Sequence, residues 1–316
     1  MRKTTAVFAA FALLVGLTAC AGSNTVAGCS PTVGPGDASS VITAPGKIGT
    51  APKVALPTPL YAKTTQKSTV ISGHGAPIIA GQPVVIDITI LNGRTGTVLQ
   101  KTAYQSGGGS LITAGKSDFP AVSRALECAQ IGSRIVVAAS AKDGHSSKAD
   151  ATNGIRANDS FVYVIDVERV FLAKANGARQ SIDDSLPAVV TTANGTPGIT
   201  FPTTTPPNSF VEKVLKKGTG AKVVNNHYVV VQYTGASWSG KHVVFDSTWK
   251  LGQASVLQPG AATVSAGLTR GLVGQRVGSQ VLVSLPASIA ATSDGSGTAP
   301  AGQTVLYVVD ILGIAQ

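Results

Sequence analysis

Charge is scarce in this 316-residue chain: 13% of residues are Asp, Glu, Lys or Arg, aromatic residues make up 5%, and there are 4 histidines and 3 cysteines. These shortages exclude several function classes. His74, His145, His227 and His242 stand far apart, with none of the spacings that hold a metal ion, and no serine sits in the Gly-flanked turn of a hydrolase nucleophile. No metal and no cofactor are therefore expected. Basic residues exceed acidic ones, 25 to 15, but they are scattered, with Lys213, Lys216 and Lys217 the densest group. A nucleic-acid surface needs a basic stripe with aromatic platforms, so the excess reads as a solvated face weakly attracted to anionic envelope polymers. One stretch imitates a phosphate-binding loop, Gly235-Ala-Ser-Trp-Ser-Gly240-Lys241-His242, yet it lacks the final Ser/Thr and runs into the strand-like Val243-Val244-Phe245 where a helix N-terminus is required.

Long apolar runs are missing beyond the N-terminus. Met1-Arg2-Lys3 followed by Ala6 to Leu17 reads as a secretory signal, too short to stay in a bilayer as a spanning helix. It closes on Leu17-Thr18-Ala19-Cys20, which resembles the bacterial lipoprotein signal; an ordinary signal with an incidental cysteine is the alternative. The resemblance implies cleavage before Cys20 and diacylglycerol (palmitate or a similar acyl chain) on its thiol. Two or more acyl chains suffice for stable anchoring. The expected location is the outer face of the cytoplasmic membrane, with the membrane reached through the N-terminal lipid. Cys29 and Cys128 are then an even set in an oxidising compartment, and a disulfide between them is the simplest account, two buried thiols being the alternative.

Residues 20–47 and 173–208 are rich in Gly, Ser, Pro and Thr without periodicity, and read as a flexible tether and a linker. They separate the signal, 1–19, from two blocks, 48–172 and 209–316, each long enough for one modest core. The blocks repeat each other. Ile131-Gly132-Ser133 aligns with Val277-Gly278-Ser279, Phe161 to Val167 with Val305 to Ile311, and Val84 to Thr89 with Val229 to Thr234, always at an offset of about 145 residues.

Within each block the pattern is strand-rich. His227 to Asp246 reads as a hairpin with loop residues Ala236 to Lys241, bringing Tyr233 together with Phe245-Asp246. In the last strand Val305, Tyr307, Val309 and Ile311 share one face, while Thr304 and Asp310 lie on the other. Val122 and Leu126, or Leu268 and Leu272, mark one short helix per block, with Gly274 as its C-terminal stop. Several antiparallel strands over one short helix make an α+β domain, here in tandem.

Together, Val231-Gln-Tyr233-Thr-Gly235, Phe245-Asp246-Ser247, Gly267-Leu268, Gly271-Leu272-Val273-Gly274, Val277-Gly278 and Thr304-Val-Leu-Tyr307 resemble the FKBP-type peptidyl-prolyl cis-trans isomerases along the whole of 209–316. The resemblance implies a twisted antiparallel sheet wrapped on a short helix, with a proline pocket between them. It implies that Tyr233, Phe245 and Asp246 are catalytic, and that Val264, Ser265 (through its backbone N–H), Leu268 and Tyr307 bind substrate. Three positions depart from the family pattern: Leu268 replaces the tryptophan of the pocket floor, Ser255 a phenylalanine, and Ala290 a flap tyrosine. Each lost aromatic removes about 1.5–3 kcal/mol of transfer energy, so weaker or broader proline binding is expected. The first block carries Ile88, Leu99, Gln100 and Val122 at the positions of Tyr233, Phe245, Asp246 and Leu268; only Tyr163 matches Tyr307. It is expected to be silent. The implied partners are unfolded or proline-containing exported polypeptides. A non-catalytic chaperone or adaptor of the same fold is the alternative, and Tyr233 and Tyr307 would then be core aromatics.

Overall fold

The computed structural model describes residues 29–105, 107–116, 119–290, 299–300 and 302–315. The signal, Cys20 and the first part of the tether lie outside them.

The first unit contains α1 (Asp37–Ser40), β1 (Gln66–Ile71), β2 (Pro83–Asn92), β3 (Val98–Lys101), β4 (Ser110–Thr113), α2 (Pro120–Leu126), β5 (Arg134–Ala139), α3 (Ala141–His145) and β6 (Phe161–Val170). A connecting segment holds β7 (Ala178–Arg179) and the hairpin β8 (Ala188–Thr191) and β9 (Pro197–Thr200). The second unit contains β10 (Val211–Lys217), β11 (Val229–Ser237), β12 (Val244–Ser247), α4 (Thr248–Leu251), β13 (Ser255–Leu257), α5 (Ala266–Leu272), β14 (Gln280–Leu285), α6 (Ala287–Ala290) and β15 (Val305–Ile314). The sheets run β1-β5-β6-β2-β3 and, in reverse, β12-β11-β15-β14-β10, with β4 and β13 on the side of β2 and β11. Every pairing is antiparallel. Even the irregularities repeat: register shifts fall at Thr69/Ile71 and Val214/Lys216, at Val85/Ile86 and Val230/Val231, and at Ile90/Leu91 and Gly235/Ala236. A bulge re-aims the side chains beyond it, so shared bulges mean shared inward faces.

Each sheet packs its concave face on one short helix. Val122 and Leu126 of α2 lie among Ile86, Ile135, Tyr163 and Ile165; Leu268 and Leu272 of α5 lie among Val231, Val283, Tyr307 and Val309. The short helices are held by their ends. Pro120 opens α2 with φ already set, and the Ser265 hydroxyl accepts the Leu268 N–H at the start of α5. Gly274 follows α5 at φ +94°, a conformation that side-chain-bearing residues rarely adopt.

The Pro- and Thr-rich stretches are not free linkers where the structure describes them. Ile42, Ala44, Leu60 and Ala62 cover Leu91, Val136, Ala138, Val162 and Val164 on the outer face of the first sheet. Ile182, Leu186, Val189, Ile199 and Phe201 cover Leu215, Trp238, Leu282, Leu306 and Val308 on the second. So the tether from residue 29 onward and most of 173–208 are parts of the domains. Composition misled because these segments place irregularly spaced apolar side chains rather than a periodic stripe, and satisfy their backbones on buried polar groups. The Arg134 guanidinium, fully buried, donates to both oxygens of Asp166 at 2.6 Å and to the carbonyls of Ala44, Gly46, Lys47 and Thr50 at 2.9–3.2 Å. Asp166 also accepts the Gly49 N–H at 3.0 Å. In the second unit Gln280 replaces the arginine, donating to Asp310 at 2.7 Å, and Asp310 accepts the Ala175 N–H at 2.8 Å. Burial pushes the Asp310 carboxyl above its ordinary pKa. Cys29 and Cys128 are joined by a disulfide that fixes the start of the arm beside the end of α2. The units meet through Val85, Phe171, Val230 and Leu312, and through hydrogen bonds from the Leu172 N–H to the Leu312 carbonyl and from the Ala254 N–H to the Thr113 hydroxyl.

Candidate active site

The hairpin of β11 and β12 sets the first wall. Its strand is longer than the sequence suggests: Ala236 and Ser237 belong to β11, so the loop runs over 238–243, closed by reciprocal Ser237–Val243 hydrogen bonds. Across the hairpin the Tyr233 hydroxyl donates to Asp246 Oδ2 at 2.6 Å. Both residues are half-buried, so the pair is open to a ligand.

Three rings form a connected edge-to-face set. Tyr307 from β15 lies 6.2 Å from Tyr233 and 5.8 Å from Phe245, at 63° and 86°. Such contacts direct ring edges onto ring faces and add roughly 0.5–1.5 kcal/mol beyond area burial. Gly235 makes the arrangement possible. A Cβ there would stand 2.9 Å from Phe245 and from Tyr307. Thr248, at the start of α4, secures the strand beneath: its hydroxyl accepts the Tyr233 N–H at 2.8 Å and lies 3.2 Å from the Tyr233 carbonyl.

The second wall is the start of α5. Val264, Ser265 and Leu268 are buried, and Val264 and Leu268 join the same apolar cluster as Tyr307, Tyr233 and Phe245. The Ser265 hydroxyl is used as the helix cap, which leaves its backbone N–H as the group available to a substrate carbonyl. Thus Tyr233, Phe245, Asp246, Val264, Ser265, Leu268 and Tyr307 converge. Ser255 pairs with Val231 in β13, and Ala290 ends α6 inside the core cluster. Sequence reasoning missed Gly235 and Thr248 as supports; a glycine two residues after the tyrosine was the available signal.

The first unit fills the equivalent space. Register places Gln100 opposite Ile90 as Asp246 lies opposite Gly235. Ile90 therefore stands where the second unit has its glycine, and packs with Ile88, Leu99, Val122 and Ile155 on Tyr163. The Tyr163 hydroxyl is committed to the Gly144 carbonyl at 2.9 Å, and burial pushes it well above its ordinary pKa. Gln100 is exposed.

The site thus sets a carboxylate-bound tyrosine beside apolar rings and the start of α5, an arrangement with the chemistry to hold an apolar group and a carbonyl. Residues 220–312 match the sequence model of a family described as FKBP-type peptidyl-prolyl cis-trans isomerase. Over 117 residues the chain is 29% identical to a "Probable FK506-binding protein" of Corynebacterium glutamicum, covering 37% of this chain and 96% of that relative. Among solved structures, the three FKBP domains of wheat FKBP73 match at 18% identity over 79% of this chain and 94% of that one, TM-score 0.36. FkpA of Escherichia coli matches at 22% identity over 42% and 52%, TM-score 0.29. The likeness to the FKBP-type peptidyl-prolyl cis-trans isomerases thus lies in the second unit.

Proposed function

We propose that the second unit isomerises X-Pro bonds in exported polypeptides, that lipid on Cys20 holds the chain at the outer face of the cytoplasmic membrane, and that the first unit has no isomerase activity of its own. The observation that carries the catalytic part is the Tyr233–Asp246 hydrogen bond at the rim of the Phe245–Tyr307 ring set. The barrier to be lowered, about 20 kcal/mol, arises from amide resonance, and uncatalysed exchange takes tens of seconds or more. No covalent step is needed. Phe245, Val264, Leu268 and Tyr307 hold the proline ring, while Tyr233 and the Ser265 N–H bind flanking carbonyls. The carbonyl before proline then rotates through a poorly solvated position that suits the twisted transition state better than either planar form. Asp246 orients the Tyr233 hydroxyl. The filled pocket of the first unit supports its assignment as a structural or client-binding domain.

The test is isomerisation of a short X-Pro peptide by the full chain, beside Tyr233→Ala and Asp246→Ala. Loss of activity in both variants supports this reading and leaves no contribution from the first unit. An inactive but folded wild-type chain would refute it in favour of a non-catalytic chaperone or adaptor.

A further inference from the structure

Behind the hairpin, on the face of β11 opposite Tyr233, lies a cavity of about 310 Å³, within the usual size range of small-ligand sites. Three parts of the chain build it. The first unit supplies Ala80 and Lys116, the connecting segment Lys174 and Ala193, and the second unit Gln232 and Trp249. The segment is drawn tightly against the indole: a Cβ on Gly195 would stand 2.7 Å from Trp249 and from Lys174.

Gln232 is the informative residue. It is 3% exposed, and its side-chain Oε1 is buried without a hydrogen-bond partner. Leaving such a group unpaired costs about 1–3 kcal/mol, so a site containing it favours an occupant that supplies a donor. Its strand neighbour Asp310 does not fill that need: its carboxyl oxygens accept from Gln280 and Ala175, and no hydrogen bond joins it to Gln232 Oε1. A carboxamide offers one acceptor and one donor side by side, which matches the N–H and C=O of a peptide backbone. Around it the lining is mostly aliphatic residues and the Trp249 indole, with the polar Thr113 and Asn194 and two ammonium groups, Lys174 being directed to the Ala193 carbonyl.

We propose that this cleft binds a short extended stretch of polypeptide without requiring proline, its backbone amide paired with Gln232 and a small apolar side chain against Trp249. The cleft is thereby a second client site, on the opposite face of the strand that carries Tyr233. It also touches the catalytic hairpin directly. Trp249 follows Thr248, whose hydroxyl holds the Tyr233 backbone. The inference does not rest on the isomerase reading, since a chaperone would use the same cleft.

The experiment is titration of the full chain with an acetylated, amidated, proline-free tetrapeptide of alanine and valine, followed by calorimetry and indole fluorescence. Saturable binding is expected in the wild type and in Tyr233→Ala. It should weaken about tenfold in Gln232→Leu, as loss of one buried hydrogen bond predicts. Ala193→Trp, at an exposed position on the cleft's rim, should block it without disturbing the core. Absence of binding in the wild type would mean that Gln232 is met by water only, and would overturn the proposal. So would binding that survives both Gln232→Leu and Ala193→Trp, and if it were also lost in Tyr233→Ala the peptide would belong to the ring cluster.

Discussion

The Tyr233 hydroxyl donates a hydrogen bond to Asp246 Oδ2 at 2.6 Å, across a hairpin whose counterpart in the first unit carries Ile88 and Gln100. The bond fixes the direction of a phenol that would otherwise turn freely at the rim of the pocket. Hydrogen bonds to a charged partner contribute about 1.5–3 kcal/mol, and each 1.36 kcal/mol of transition-state stabilisation is a factor of about ten in rate. Tyr233→Phe and Asp246→Asn are therefore expected to lower kcat/KM about tenfold or more, and the double variant should cost little more than either single one. A double-mutant cycle on an X-Pro peptide measures this coupling; strictly additive losses would show that the two residues act separately.

Gly235 is predicted to be as sensitive as the pocket residues themselves. In Gly235→Ala the added methyl meets both Phe245 and Tyr307 at 2.9 Å, so the rings must separate. Overpacking of this sort costs about 1–3 kcal/mol. The expected result is a lower Tm together with a raised KM, and an unchanged KM would mean that the ring set does not contact substrate.

Arg134 ties five partners to one buried cation: Asp166 and four carbonyls of the N-terminal arm. Breaking a buried pair from one side typically costs about 3–5 kcal/mol. Arg134→Met should thus destabilise the first unit by that order and expose the arm to protease, both measurable on the full chain by denaturant titration and limited digestion. Isomerase activity should persist while the second unit remains folded.

Lys67 supplies a pH dependence. Its ammonium caps the end of α2 by donating to the Ala125 carbonyl at 2.8 Å and to the Glu127 carbonyl, yet burial holds its pKa down at about 8 from 10.5, with Glu127 opposing the shift. Between those values the unfolded chain binds more protons than the folded one. Stability of the first unit should therefore rise with pH from about 8 to 10.5, the penalty of a buried ammonium being fully present below that window. Lys67→Met should flatten the slope in that window, as read from urea midpoints at stepped pH.

The repeat, the antiparallel sheet on one short helix and the inward face of Tyr307 were legible because matching segments recur at one offset and alternation with period two leaves no choice about which residues of a strand share a face. Gly235 was visible as a residue and invisible as a support, since the closeness of two rings is a property of three strands together. The covering segments were not legible from their own pattern. Their apolar residues, Ile182, Leu186, Val189, Ile199 and Phe201, fit neither helix nor strand period, and their Pro and Thr content argued for solvent. The buried anchors Asp166 and Asp310 signalled them, as acidic residues in otherwise apolar strands. A buried carboxylate requires a donor, and in both units a backbone N–H of the covering segment provides one.

The cover over Leu215, Trp238, Leu282, Leu306 and Val308 decides where the chain can be cut. An expression fragment begun at the first residue of the recognisable family match would lose the edge strand β10 together with the cover and present Trp238, Leu282, Leu306 and Val308 to solvent, and self-association, rather than a missing catalytic group, would then explain its poor behaviour. The unit that folds is correspondingly larger than the sheet and its helix: it includes the unpatterned strap that precedes them, so a working excision of the second unit begins near Ala173.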